Sequence, residues 1–342
     1  MSEAGSQRGG SPRRRQWGAT GRSVGLYLIT MAGLVTLIFF LPRALPGDPL
    51  GSLIDPEVGQ PFTAEARAEI ESHYGLDRPL GQQYLGYLGK IATLDFGWSI
   101  SQQSPVLDLV KARLPWTLLL MASGLTLAAA MSWVIGVGSA WRRGSAGDRV
   151  AVSVLTMLRA VPDFALAAVL LILFAVVLPW FPVAGSRTVF AQHSSWIDQV
   201  ADVGHHLVLP LTALTMSLLG TKFLLVRNTV IGCLGQDYMV MARAKGLSES
   251  IQRRRHAGRN AVLPFLTLIG IQAGFAVGGT IFVEQVFTYP GMGDLVLSAV
   301  DARDYPLLEA LFLVLAATVL AANLLVDVAS TWVAPQADRA GR

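Results

Sequence analysis

The stretch RNTVIGCLGQDYMVMARAKGLSESIQRRRHAGRNAVLP, from Arg227 to Pro264, decides how the chain is organised. It is the longest basic interval between two apolar segments, and it has small residues where a surface loop is normally more polar. Asp237 is a candidate N-cap for a helix of about two turns, YMVMARAK, and Gly246 can end that helix in the left-handed conformation. Ser248 can cap a second helix that runs into the next apolar segment. The stretch therefore predicts short helices rather than a flexible loop.

The first of these short helices has the character of a docking element. Ala242 and Ala244 make part of it thin, while Arg243 and Lys245 give it charge. Such a helix suits insertion into a groove on another protein.

The regions on either side of this stretch are strongly apolar. Of the 342 residues, 52% are hydrophobic and 15% are charged, and the apolar residues occur in long blocks. Runs of about 18 or more residues with few charges predict bilayer spans. Six such runs occur, at 24–42, 116–140, 151–179, 206–226, 261–283 and 307–333. A soluble protein would need far more polar residues to cover six such helices, so we expect an all-α polytopic membrane protein.

The charged residues predict the orientation. Lys and Arg concentrate in the N-terminal tail, the 141–150 loop, the 227–260 region and the C-terminus, whereas 43–115, 180–205 and 284–306 are acid-rich or mixed. Because basic loops stay inside, both termini and the 227–264 stretch are expected to be cytoplasmic. The basic cluster Arg253–Arg255 then lies beside the membrane, where anionic lipid, not nucleic acid, is the expected partner.

These boundaries divide the chain into consecutive parts. They are a basic tail (1–23), a first span (24–42), an extracytoplasmic helical segment (43–115), a core of five spans (116–333) that includes the cytoplasmic region 227–260, and a second tail (334–342). Within the outer segment, Ser104 and Pro105 are expected to open a short helix, SPVLDLVKARL.

Motifs for catalysis are missing from the sequence. It has no metalloprotease, P-loop, hydrolase-elbow or dinucleotide motif, so the chain is not expected to be catalytic by itself. His205 and His206 are adjacent and do not share one helix face, which argues against a metal site. Lys222 is expected to reach the inner surface by snorkelling. The span centres are nearly free of charge, which favours a pathway powered by another subunit over ion coupling.

Seven motifs in order resemble the permease subunits of ATP-binding-cassette importers, most closely the first permease of the dipeptide, oligopeptide and nickel subfamily. The first motif has two parts, GQDYMVMARAKGLSE (Gly235 to Glu249) and RHAGRNAVLP (Arg255 to Pro264). The others are LPGDP, GLDRPL, FGWS, RLPWTL, VEQVFTYPGMG and ARDYPLLEA. The wider family has a glutamate-alanine-alanine triplet where this chain has Val240, Met241 and Ala242, which puts a carboxylate contact to the ATPase in doubt.

The resemblance implies a type I importer permease with several partners. These are a second homologous permease, two ATPase subunits that carry the ATP and Mg, an extracytoplasmic solute-binding protein and membrane lipid; the chain itself would bind no cofactor. An importer of peptides in a bacterial inner membrane is expected. Import of nickel or another small solute is the alternative within this class, and an ion-coupled secondary transporter is the alternative from another class.

Three sets of candidate site residues follow, of which the resemblance implies the first. ATPase coupling is expected to involve Asp237, Tyr238, Ala242, Arg243, Ala244, Lys245, Gly246, Leu247 and Ser248. Candidates for the pathway or the interface between permeases are Gln272, Gly274, Gly278, Gly279 and Glu284, and ordinary tight packing of helices is the alternative for the glycines. Candidates for docking the binding protein are Asp48, Asp77, Arg78, Asp294, Asp304 and Tyr305.

Overall fold

The computed structural model describes residues 25–40, 68, 77–191 and 195–333. The predicted tails 1–23 and 334–342 lie outside the described residues, as does most of 43–76, including LPGDP and Asp48.

The described chain is mostly helical. Its helices are α1 (Gly25–Phe40), α2 (Leu80–Thr93), α3 (Val106–Trp141), α4 (Ala146–Ala160), α5 (Asp163–Leu171), α6 (Trp196–Leu234), α7 (Asp237–Ala244), α8 (Glu249–Ile251), α9 (Arg259–Val286), α10 (Met292–Asp301) and α11 (Tyr305–Val333). Wider π-helical turns extend α5 over Ile172–Val177 and precede α9 over Gln252–Gly258. Two short antiparallel strands, β1 (Trp98–Ser99) and β2 (Ser104–Pro105), form a hairpin with Trp98 opposite Pro105.

Three described helices, α3, α6 and α11, are long and apolar enough to cross a membrane, and the number rises to five if each of two bent pairs forms one span. The helix α1 is apolar but shorter. The number of six spans therefore stays a prediction. The apolar helices of the structure agree with the helical membrane architecture that the sequence predicts.

The predicted span 151–179 is not one straight helix. The axes of α4 and the α5 segment are bent by 102°. The break falls at Val161, which is extended (φ −82°, ψ 128°), and at Pro162. Proline disfavours the helical conformation of the residue before it, so the helix ends there and a new one starts at Asp163.

The start of α3 also differs from the expectation. Ser104 and Pro105 form β2 instead of opening a short helix, and α3 begins at Val106. The helix then continues through Pro115 to Trp141 without a break, so the predicted short helix and the predicted span 116–140 are one element.

The helix α6 is central and packs closely on α3. A Cβ added at Gly124 would lie 2.6 Å from Leu214 Cδ2, and one at Gly136 would lie 2.8 Å from Val226 Cγ1. The later residue of α3, Gly136, meets the later residue of α6, Val226, so the two helices run parallel. Glycine allows this close approach of helix backbones.

The helix α9 runs antiparallel to α6. Its beginning shares a buried apolar cluster with Val226 and Val230, and Gly279 near its end meets Leu214. Between Pro264–Gln272 and Ala276–Val286 the helix bends by 50°. We call the two ends of this bundle the α7 end and the hairpin end.

Candidate functional site

The short helix α7 forms as the sequence predicts, with one difference at its start. Asp237 lies in the first turn rather than at the cap, which is Gln236, and no side chain caps the helix. Gly246 has a φ of +67°, and its N–H donates to Arg243 O (2.9 Å) while Leu247 N–H donates to Ala242 O (3.3 Å). This pair of hydrogen bonds is a Schellman motif, so the left-handed ending predicted for Gly246 is confirmed.

The two faces of α7 have different surroundings. Met239 is 0% exposed and Ala242 is 3% exposed, and Met239 belongs to the apolar cluster at the α7 end. Val240 and Met241 are 59% and 58% exposed. Ala242 therefore faces the chain itself, in contrast to its predicted place in a thin docking surface, and the free face carries two apolar side chains.

The segment after α7 is held by polar contacts. Ser248 lies at the N-cap position of α8, as predicted, although its side chain makes no capping bond. Gln252 Nε2 donates to Leu247 O (2.6 Å), and Trp141 Nε1 donates to Glu249 Oε2 (3.3 Å). The end of α3 is thus tied to the segment that carries α7.

A buried ion pair at the α7 end was not anticipated from the sequence. Arg227 donates from Nε to Asp148 Oδ1 (2.7 Å) and from Nη2 to Asp148 Oδ2 (2.8 Å). Ser139 Oγ and the Gly144 N–H (2.9 Å) also donate to the Asp148 carboxylate. A bidentate pair of this geometry fixes orientation as well as distance, so it joins α3, α4 and α6.

A second buried carboxylate lies at the hairpin end. Glu284 is 0% exposed and accepts hydrogen bonds from Thr117 Oγ1 (2.6 Å) and the Gly293 N–H (2.7 Å). A Cβ at Gly291 would overlap the Glu284 carboxyl group. The turn between α9 and α10 therefore closes over this carboxylate, and it needs glycine to do so. Nearby Tyr289 is 1% exposed, and burial, with the Glu284 charge second, raises the pKa of its hydroxyl.

Asp304 is predicted to dock a binding protein, but the structure directs its carboxylate into the chain. It is 1% exposed, and its Oδ2 accepts from Ser99 Oγ (2.6 Å) and from both the N–H and Oγ of Ser101 (2.9 Å each). Its Oδ1 accepts from the Leu307 N–H (3.2 Å). Asp304 thus caps α11 and holds the hairpin in place.

The other docking candidates are more accessible. Asp77 and Arg78 are exposed, and Tyr305 is half-buried. Asp294 pairs with Arg113 at 3.5 Å, with 32% of each side chain exposed.

The pathway candidates separate into inward and outward positions. Gly274 lies 3.4 Å, measured from an added Cβ, from Val319 of α11, and Gly279 similarly faces Asp163 and Leu214. Gly278 is exposed, with nothing within 4 Å of an added Cβ. Gln272 is half-buried. Gly278 is therefore the candidate whose position suits contact with another subunit.

Known proteins resemble this chain over most of its length. The sequence model of the family described as binding-protein-dependent transport system inner membrane component matches residues 132–339. A Brucella ovis protein with a peptide-permease name is 38% identical over 308 residues, 90% of this chain and 94% of that protein. The Bacillus subtilis oligopeptide transport system permease protein AppB is 36% identical over 307 residues, with the same coverage. The Salmonella choleraesuis glutathione transport system permease protein GsiC is 34% identical over 307 residues, again with 90% and 94% coverage.

Proposed function

The chain belongs to the family of binding-protein-dependent transport system inner membrane components, and we propose that it forms half of the pathway of an ATP-driven peptide importer. The observation that carries this proposal is the near full-length similarity to relatives named for peptide, oligopeptide and glutathione permeation. The second half is a homologous permease, and the solute reaches the pair from a separate binding protein.

The proposed topology has six spans in a bacterial inner membrane, with both termini in the cytoplasm. The α7 end carries the 141–150 loop and the 227–260 region, which hold many of the Lys and Arg residues. By the positive-inside rule this end is cytoplasmic, and the hairpin end faces outward.

The helix α7 is the proposed contact with one of two ATPase subunits, which bind the ATP and Mg. Its exposed face combines Val240 and Met241 with the charges of Arg243 and Lys245. An apolar pair in the middle of the exposed face of a short helix can fill a groove. The opposite face is fixed by Met239, so movement of the ATPase would be transmitted to α6 and α9 instead of bending α7.

ATP acts in this scheme by favouring one of two conformations of the permease pair. A near-complete shift between two states takes about 5.5 kcal/mol of differential binding. The ion pair of Asp148 and Arg227 joins α4 to α6, and the contact of Trp141 with Glu249 joins the end of α3 to the segment that follows α7.

At the hairpin end, exposed groups beside the β1–β2 hairpin are the proposed docking surface for the binding protein. A cavity of about 500 Å³ is lined by Lys90, Asp95 and Trp98, among others, and Trp98 is 53% exposed. Asp77, Arg78 and Asp294 remain docking candidates, whereas Asp304 supports this surface from beneath.

Reconstitution tests the proposed function. The chain, its partner permease, two ATPases and the binding protein are placed in liposomes with ATP trapped inside, and uptake of a labelled peptide is measured. Uptake should require both ATP hydrolysis and the binding protein. Uptake driven by an ion gradient without ATP would instead indicate a secondary transporter. ATP-dependent uptake of a metal chelate but of no peptide would contradict the proposal that the substrate is a peptide.

Two adjacent substitutions test the coupling face. Met241→Glu places a charge on the exposed face, and we expect it to lower ATPase assembly and uptake while the isolated permease keeps its thermal stability. Ala242→Glu buries a charge against the chain's own core and should lower the stability of the isolated permease. Normal assembly and normal peptide-stimulated ATP hydrolysis in Met241→Glu would contradict the proposed contact.

A further inference from the structure

Lys222 is buried in the apolar part of α6. It is 0% exposed, so it does not reach the membrane surface by snorkelling as the sequence suggested. Among the described residues, its Nζ donates only to Leu218 O, at 3.4 Å, and no carboxylate lies within 4 Å of it. A buried cation without a counter-charge is costly inside a membrane span and marks a functional position by default.

The contacts of α3 place a second polar residue at the level of Lys222. Gly124 meets Leu214 and Gly136 meets Val226, a constant difference of 90 in sequence number. The same difference pairs Lys222 with Ser132, which is 0% exposed and whose hydroxyl donates to Ala128 O (2.5 Å).

The contacts of α9 place a third polar residue there. Gly279 meets Leu214 on one side, and Phe265 shares a cluster with Val226 on the other. Between these contacts lie Gln272 on α9 and Lys222 on α6. Gly270 and Gly274, two residues before and after Gln272, face Val326 and Val319 of α11, so Gln272 lies on the side of α9 away from α11.

Two buried oxygen atoms on this seam have no hydrogen-bond partner in the described part of the chain. They are Gln272 Oε1 and Oγ1 of Thr215, which is 3% exposed and precedes Lys222 by seven residues on the same face of α6. Unpaired buried polar atoms cost free energy, and native proteins rarely keep them without a use. Asp163, the nearby acid on α5, is held by Ser217 Oγ (2.6 Å) and lies near Gly279, one to two turns away from Lys222.

We propose that Lys222, Gln272 and Thr215 form a subsite between α6 and α9 that binds the carboxylate of the transported peptide when these helices separate. Lys222 supplies the positive charge, Thr215 a hydroxyl donor, and the Gln272 amide one donor and one acceptor for the adjoining peptide group. This inference rests on the proposed function of the chain as a peptide permease. In the closed seam described here, the Gln272 and Thr215 oxygens have no hydrogen-bond partner among the described residues, and Lys222 has no counter-charge there.

The test compares one peptide with a free C-terminal carboxylate and the same peptide with a C-terminal amide, in the reconstituted full complex. Each peptide is supplied already bound to the binding protein, at a concentration of this complex that saturates the permease. The rate of uptake is then set by translocation and not by capture of the peptide. In Lys222→Met, uptake of the free acid should fall about tenfold, the effect of one charged hydrogen bond, while uptake of the amide is unchanged. Lys222→Arg, which keeps the charge, should restore much of the preference.

Two further variants complete the design. Thr215→Val removes the hydroxyl donor to the carboxylate without removing a charge, and it should show the same selective loss to a smaller extent, which covers the case that Lys222→Met does not assemble. Lys111→Met removes an exposed lysine of α3 and should leave uptake of both peptides unchanged.

The outcomes separate this inference from the proposed function. Equal loss of both peptides in Lys222→Met and Thr215→Val would show a purely structural polar layer and overturn the subsite, as would no loss of either peptide. A wild-type complex that imports neither peptide would overturn the proposed function and the subsite with it.

Discussion

Removing the cation of the buried pair at the α7 end gives the most quantitative prediction. In Arg227→Met, the Asp148 carboxylate keeps its hydrogen bonds from Ser139 and Gly144 but loses its counter-charge. The Asp148 side chain is 3% exposed and that of Arg227 is 16% exposed, so solvent screens the pair little. Breaking such a pair typically costs 3–5 kcal/mol. Because two hydrogen bonds remain, we expect about 3 kcal/mol, or roughly 5 °C in thermal midpoint for a chain of this length.

Thermal midpoints of the detergent-solubilised permease measure this loss. The matched control is Arg149→Met, which removes an exposed cation next to Asp148 in sequence and should change the midpoint by less than about 1 °C. The double variant Asp148→Asn with Arg227→Met leaves no buried charge and should be more stable than Arg227→Met alone. The reasoning would be refuted if Arg227→Met were as stable as wild type. It would also be refuted if the double variant lost as much stability as Arg227→Met and Asp148→Asn lose together when each is made alone.

Three further substitutions test other parts of the fold. Gly246→Val forces a branched side chain into a φ of +67° and should cost about 1–2 kcal/mol, seen as weaker ATPase assembly, whereas Gly246→Asn should cost less. Asp304→Ala leaves the Ser99 and Ser101 hydroxyls without their acceptor and should lower the thermal midpoint by an amount equivalent to about 1–3 kcal/mol; an unchanged midpoint would contradict its burial. Gly291→Ala should clash with the Glu284 carboxylate and reduce the yield of folded permease, while Gly138→Ala, at a position with nothing within 4 Å of an added Cβ, should not.

Features set by neighbouring residues could be predicted from the sequence. The end of α7 at Gly246 and the start of α8 after Ser248 depend on backbone preferences within a few positions, and both are as predicted. The end of α4 before Pro162 could also be predicted from the sequence, because a proline inside an apolar run restricts the backbone of the residue before it. Hydropathy alone hid it, because both halves of the broken pair are apolar.

Features set by distant contacts could not be predicted in this way. Asp304 is buried because Ser99 and Ser101, about 200 positions earlier, surround its carboxylate. Ala242 faces inward because α7 lies on a cluster built from α3, α6 and α9. Residue types and their spacing do not determine which face of a short helix packs on the chain and which face is left for a partner.

The packing also separates the spans into parts that can and cannot move independently. The Gly124–Leu214 and Gly136–Val226 contacts are twelve residues apart on both helices, so α3 and α6 keep one register over about 18 Å. The Asp148 pair locks their α7 end. In contrast, α5 follows the 102° break at Pro162, and α9 bends by 50° near its middle. For the proposed importer we therefore expect the change between its two conformations to move α5 and α9 against the pair of α3 and α6, along the seam where Lys222 lies.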